Sequence, residues 1–269
     1  MLITSYHNHS TWSDGTSSAE EMFLAAKAAG LREFGLSDHW VVHPDKCKDS
    51  LSWSMKLDHL EKYVNECLEW KNRLDDENFT IRIGVEVDFF EENWHEVLKQ
   101  LHNHPFDYLI GAVHYFGTFP IDHSAPPWQA LNQQQIDAVW QGYWRKIRDL
   151  AATCDCDFLA HLDLPKKFNF LPTEAYQGDL EETLLVLQKY DLPIEVNTGG
   201  WAKPCAECYP GKAGLQRACQ LGIPVLVNAD AHQKEHITRF FPEAEKLLKD
   251  CGYQQVCSFA NRQRKMLDF

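Results

Sequence analysis

Short apolar runs alternate with stretches of helical periodicity along the whole chain, and this alternation constrains the fold more than any other feature. Strand-like runs fall at 3–6, 34–37, 81–87, 108–113, 158–160, 194–196 and 225–227. Helical patterns lie between them. The first can be capped by Ser17 or Ser18, with Glu20 or Glu21 as capping-box partner, and stops at Gly30. Others cover 55–74, 94–101, 136–150, 180–190, 213–221 and 242–249, and a last short strand is expected at 255–259. Strands alternating strictly with helices imply an α/β fold with a parallel sheet. Seven such units without a nucleotide-binding glycine pattern favour closure into a barrel. The 269 residues suit one, since such barrels take about 250. No internal repeat, low-complexity segment or linker interrupts the pattern, so residues 1–269 are expected to form a single domain. Two stretches, 40–54 and 116–129, carry no periodicity and are expected to be loops. A loop as long as the second is usually functional.

Composition narrows the partners. The formal charge of −13 argues against nucleic acid, which is held by neutralising phosphates. No apolar run approaches the ~20 residues of a membrane span, and no basic segment precedes an apolar one at the N-terminus. A cytoplasmic protein with no membrane partner is expected. The nine cysteines, an odd number, include Cys154-Asp155-Cys156 and Cys205-Ala206-Glu207-Cys208. They read as free thiols, because two pairs so far apart do not make a zinc knuckle.

The strand ends carry the chemistry. His7 and His9 stand one residue apart at the end of the first run, so both side chains share a face. Asp14 follows in a turn. The later runs end in or carry His39, Glu86, His114, His161 and Asp230, with His232 two places on. The sixth run is read as contributing no ligand. In a parallel barrel these ends meet at one mouth, where active sites form. His43, His59, His95, His102 and His104 are read as solvated, whereas His123 and His236 could line the mouth. Glu86 lies among apolar neighbours, where a carboxylate needs a partner. It is either a bridge between cations or half of an ion pair. Mixed His and carboxylate ligands suit zinc, iron or manganese better than magnesium or calcium. Metal-assisted hydrolysis is the reaction class these residues suggest.

His7-x-His9 with Ser13-Asp14-Gly15, Ser37-Asp38-His39, Gly84-x-Glu86, His114, His161-x-Asp163 and Asp230-Ala231-His232 together resemble the PHP (polymerase and histidinol phosphatase) family. The histidinol-phosphatase branch is the nearer likeness. It rests on the stretch from His161 to Phe168, on Glu195-Val196-Asn197-Thr198, and on Lys203-Pro204 with Glu207 and Tyr209-Pro210.

The resemblance implies a distorted seven-stranded (β/α)7 barrel of TIM-like type and three metal ions, Zn, Fe or Mn. His7, His9, Glu86 and Asp230 would hold one ion. Glu86, His114 and His161 would hold a second, and Asp14, His39 and His232 a third. A bridging hydroxide would attack phosphorus. Asp38 and Asp163 have three roles open to them: orienting ligands, passing a proton to the leaving alkoxide, or plain structural hydrogen bonding. The branch usually has arginine just before Lys-Pro, where this chain has Ala202. The phosphate grip is then expected from Lys166, Lys167, Lys203 or Arg239, with Trp201 beside a flat or apolar part of the substrate. The implied activity is hydrolysis of L-histidinol phosphate, a small-molecule phosphate ester, in histidine biosynthesis. Another small phosphate ester, or a non-catalytic metal-binding accessory domain, are the alternatives.

Overall fold

The structure, a computed structural model, describes residues 2–45, 51–173 and 176–269, so part of the 40–54 loop lies outside the described residues. Seven strands run parallel in the order β1 (Thr4–Ser5), β2 (Glu33–Leu36), β3 (Thr80–Asp88), β4 (Tyr108–Ala112), β7 (Phe158–Leu159), β8 (Ile194–Asn197) and β9 (Val225–Asn228). The two edges meet just past the strands. Asn8 forms a parallel bridge with Ala231, and His9 N donates to Ala231 O at 2.8 Å. The sheet is therefore a nearly closed barrel, distorted because β1 and β7 are only two residues long.

Helices α1 (Ala19–Ala28), α2 (Leu60–Leu74), α3 (Trp94–Leu101), α5 (Gln133–Thr153), α6 (Tyr176–Lys189), α7 (Lys212–Gln220) and α8 (Phe241–Cys251) follow their strands round the outside. α1 starts on a complete capping box, Ser18 with Glu21, which satisfies two amides that a helix start leaves bare. α2 is preceded by a 3-10 turn, Leu57–His59, where the sequence suggested unbroken helix. Residues 116–129 are more ordered than expected. They hold part of a small hairpin, β5 (Tyr115–Phe116) and β6 (Phe119–Pro120), and then α4 (Ala125–Gln129).

Period-two alternation sorts the strand side chains into two cores. Val85, Val87, Leu109, Val196 and Val227 face the helices. Tyr108, Ile110, Phe158 and Leu226 fill the barrel. The Tyr108 side chain occupies space that only glycine leaves: a Cβ on Gly35 would come within 2.1 Å of its hydroxyl, and one on Gly84 within 2.1 Å of its ring. The expected last strand is half of an antiparallel hairpin, β10 (Gln255–Ala260) and β11 (Gln263–Asp268). Phe259 packs on Tyr6 and Phe158, with ring centroids 6.3 and 5.6 Å apart, and so plugs the barrel at its N-terminal end. The opposite, C-terminal end stays open.

Candidate metal centre

His7, His9, Asp14, His39, Glu86, His114, His161, Asp230 and His232 all converge at that open end. Glu86 is the hub. It is fully buried, and one carboxylate oxygen, Oε2, lies 2.7 Å from His39 Nδ1, 3.2 Å from His7 Nε2 and 3.7 Å from His9 Nε2. The other, Oε1, lies 3.0 Å from His161 Nε2 and 3.6 Å from His114 Nε2. Asp230 Oδ1 stands 3.1 Å from His9 Nε2, and Asp14 Oδ1 stands 3.3 Å from His232 Nε2. Asp230 holds a left-handed backbone, φ 50°, which aspartate tolerates better than most residues.

These atoms fall into four overlapping groups with ligand atoms within 4.8 Å of one another: His9, Asp14, His39 and His232; His7, His9 and Asp230; His7, Glu86 and His161; His39, Glu86 and His114. His7 Nε2, His9 Nε2, His39 Nδ1 and Glu86 Oε2 are buried without a hydrogen-bond partner. Buried polar atoms are rarely left so. Divalent metal ions held by these groups would satisfy them, and imidazole with carboxylate is the donor set that first-row divalent ions take. The residues fit a metal centre.

Carboxylates behind the ligands set their orientation. Glu195 accepts from His7 Nδ1 at 2.7 Å, from Asn228 Nδ2 at 3.0 Å and from the His161 amide at 3.3 Å. Asp88 lies 2.6 Å from His114 Nδ1. Each leaves the far nitrogen, Nε2, aimed at the centre. The electrostatics follow from this crowding. Burial opposes protonation of His7, but Glu195, Glu86 and Asp230 outweigh it and raise its pKa well above the usual value. Burial likewise loses at His114, which Asp88 and Glu86 lift to about 10. His9 goes the other way, to about 3, because burial is reinforced by the neighbouring His39 and His232. Glu86 stays ionised despite burial, held down by His7, His39 and His114.

Glu195 was missed as a site residue in the sequence, where the sixth strand was read as contributing no ligand. The signal was present: a glutamate between Ile194 and Val196 is as conspicuous as Glu86 between Val85 and Val87. Asp88 could have been found by its alternation with Glu86. His43 is not solvated as expected. It is buried, edge-on to Phe90 at 4.7 Å and Tyr115 at 5.1 Å.

A cavity of about 410 Å³ opens over the ligands. His123 and His236 line it, as do Tyr115 and, from the segments expected to be loops, Trp53 and Asp122. Lys167, Lys203 and Arg239 line it too, and Lys167 pairs with Asp122 at 3.0 Å. Lys166 does not. Its ammonium is buried against Asp163 at 3.1 Å, Glu207 at 2.9 Å and the Cys208 carbonyl at 2.7 Å. Trp201 packs edge-on to Phe240, centroids 5.8 Å apart, and is outside the lining. Nor do Asp38 and Asp163 reach the cavity. Asp38 accepts from the amides and hydroxyls of Ser10 and Ser13 at 2.6–3.0 Å. Asp163 accepts from the Gly211 amide at 2.9 Å and from Lys166. The eight described cysteines are free. No described helix is long and apolar enough to cross a membrane.

Fold and site together define a parallel barrel with a divalent-metal centre at its C-terminal mouth. The PHP domain model matches residues 5–199, and the chain belongs to that family. A Deinococcus radiodurans protein named "Probable histidinol-phosphatase" is 33% identical over 262 residues, covering 93% of each chain. A Schizosaccharomyces pombe protein of the same printed name is 23% identical, covering 88% of this chain and 82% of that one. Among solved structures, the histidinol phosphate phosphatase of Lactococcus lactis complexed with zinc, L-histidinol and phosphate superposes with a TM-score of 0.80. It is 20% identical and covers 98% of this chain and 100% of its own.

Proposed function

We propose that the chain, acting as one domain over residues 1–269, is a metal-dependent phosphomonoesterase that hydrolyses L-histidinol phosphate to L-histidinol and phosphate. The observation that carries this reading is the buried Glu86 carboxylate set among His7, His39, His114 and His161, beneath a cavity lined by Lys167, Lys203 and Arg239. The names of the relatives support the substrate. Three ions are proposed. His7, His9, Glu86 and Asp230 would hold the first, Glu86 with His114 and His161 the second, and Asp14, His39 and His232 the third. Bound there, zinc, iron or manganese supplies Lewis acidity at the phosphoryl oxygens and an activated water for in-line displacement. The chain's own part is to place the ligands and hold the ester. Glu195 and Asp88 fix the ring orientations of His7 and His114, as carboxylates behind metal-bound histidines do. The cations at the rim receive the phosphate charge, and Trp53 and Tyr115 form a flat wall for the leaving group.

A steady-state assay over a panel of phosphate esters, with elemental analysis of the purified protein, tests this. Histidinol phosphate should have the highest kcat/KM. If it is turned over no better than a generic aryl phosphate, the substrate is wrong. Fewer than about two metals per chain would count against a polynuclear centre. Ala202 supports the second reading, another small phosphate ester, because the arginine usual in the branch is missing there.

A further inference from the structure

We propose that Arg239 is the phosphate-gripping guanidinium of this chain, brought over the 198–202 turn from the segment after β9 to serve where Ala202 offers no side chain. This rests on the phosphatase reading and names the group that holds its anion.

The turn Thr198–Ala202 directly follows β8 and carries Gly199 at the cavity wall. Arg239 lies over it: a Cβ built on Gly199 would sit 3.6 Å from Arg239 Nη2. Thr198 Oγ1 donates to the Arg239 carbonyl at 2.6 Å, so the backbone of Arg239 is tied to the turn beside which its side chain lies. The next residue, Phe240, has a left-handed backbone, φ 61°, an unusual conformation for a bulky side chain and one that concentrates at functional sites. Its ring carries the Arg239 cation on one side, 5.7 Å from the centroid, and meets Trp201 edge-on. Trp201 thus braces Phe240.

The charge of Arg239 is unspent. Arg239 Nε is buried without a hydrogen-bond partner, and no carboxylate among the described residues pairs with the side chain. His236 Nδ1 lies 3.4 Å from Nη1. The two neighbouring lysines of the 161–168 stretch are committed, Lys166 to Asp163 and Glu207 and Lys167 to Asp122. Burial lowers the Arg239 pKa, and the nearby Asp230 carboxylate only partly offsets it. A guanidinium offers a fork that matches phosphate, whereas a lysine offers one point charge.

The test is calorimetry of inorganic phosphate binding to the metal-loaded protein, beside KM for histidinol phosphate and metal content. Arg239→Ala should weaken phosphate binding at least tenfold and raise KM similarly, with metal content unchanged. Arg239→Lys keeps the stem and charge and should fold even if the alanine variant does not; losing the fork should cost several-fold in affinity. Adding Ala202→Arg to Arg239→Ala should recover affinity, since both positions serve one turn. Phosphate affinity within twofold of the parent in both single variants overturns the proposal. Failure of the phosphatase reading shows elsewhere, in a parent enzyme that binds phosphate but does not turn over histidinol phosphate.

Discussion

Glu195 places a carboxyl group at a point inside the barrel that bulk solvent does not reach. It is fully buried, and its carboxylate is matched by His7, Asn228 and the His161 amide. Glu195→Gln keeps the shape but removes the charge that holds the His7 proton on Nδ1. Metal affinity or activity should fall about 10–100-fold, as for other carboxylates behind a metal-bound histidine. Elemental analysis after gel filtration reads the metal, and an unchanged circular dichroism spectrum confirms the fold. Full metal content with parental kcat would refute an orienting role. Glu86→Ala should act more severely, because it removes the group common to His7, His39, His114 and His161. Hydrolysis should vanish while the protein stays folded; retained activity would sink the ligand assignment. Glu86 was legible in the sequence because a carboxylate in an apolar strand demands a partner. Glu195 obeys the same rule. It escaped because attention to strand ends passes over a residue that points behind the ligands.

At the scale of elements, the segments after the strands do the positioning, and their internal hydrogen bonds decide which ligands they present. Asp38, two residues past β2, accepts four hydrogen bonds from Ser10 and Ser13 and so shapes the turn that delivers Asp14 toward His39 and His232. Asp38→Ala strands two backbone amides and two hydroxyls, and each buried donor left bare costs about 1–3 kcal/mol. The expected outcome is loss of roughly one metal per chain, the one assigned to Asp14. Equal metal content in variant and parent would show that the turn holds its shape without Asp38. Strand and helix positions could be read from period alone: α3 (Trp94–Leu101) has the expected extent, and β3 extends the expected run by one residue at each end. What periodicity could not supply was long-range pairing. The burial of Lys166 depends on Glu207, forty-one residues on, so its removal from the cavity was invisible in the local sequence. The order within 116–129 was hidden likewise, because two-residue strands and a five-residue helix carry no periodic signal.

For the whole molecule, the barrel separates two jobs between its ends. The C-terminal mouth gathers charged groups that oppose close packing, and the N-terminal end is sealed by the β10–β11 hairpin. That hairpin was half legible. The strand at 255–259 was expected, but Gln263–Asp268, largely polar and exposed, carries no such signal. Its attachment is distant in sequence: the Arg262 amide donates to the Asp107 carbonyl at 2.8 Å, the Arg262 guanidinium pairs with Asp157, and Arg264 pairs with Asp191. Phe259 is the plug, 2% exposed between Tyr6 and Phe158. Phe259→Ala should cost about 3–5 kcal/mol, the range for a large aromatic removed from a packed core. A loss of that size is a large fraction of a domain's total stability, so the denaturant midpoint should fall clearly. The mouth should not notice. Phe259 packs in an apolar cluster with Tyr6, Tyr108 and Phe158, away from the mouth, so the folded variant at low temperature should keep the metal content, KM and kcat of the parent. Measuring midpoint and kinetics on the same preparation separates the outcomes. A lowered midpoint with unchanged kinetics is expected of a plug that only stabilises. If KM or metal content moves with the midpoint, Tyr6 has carried the disturbance one residue along the chain to His7, and the two ends are mechanically coupled.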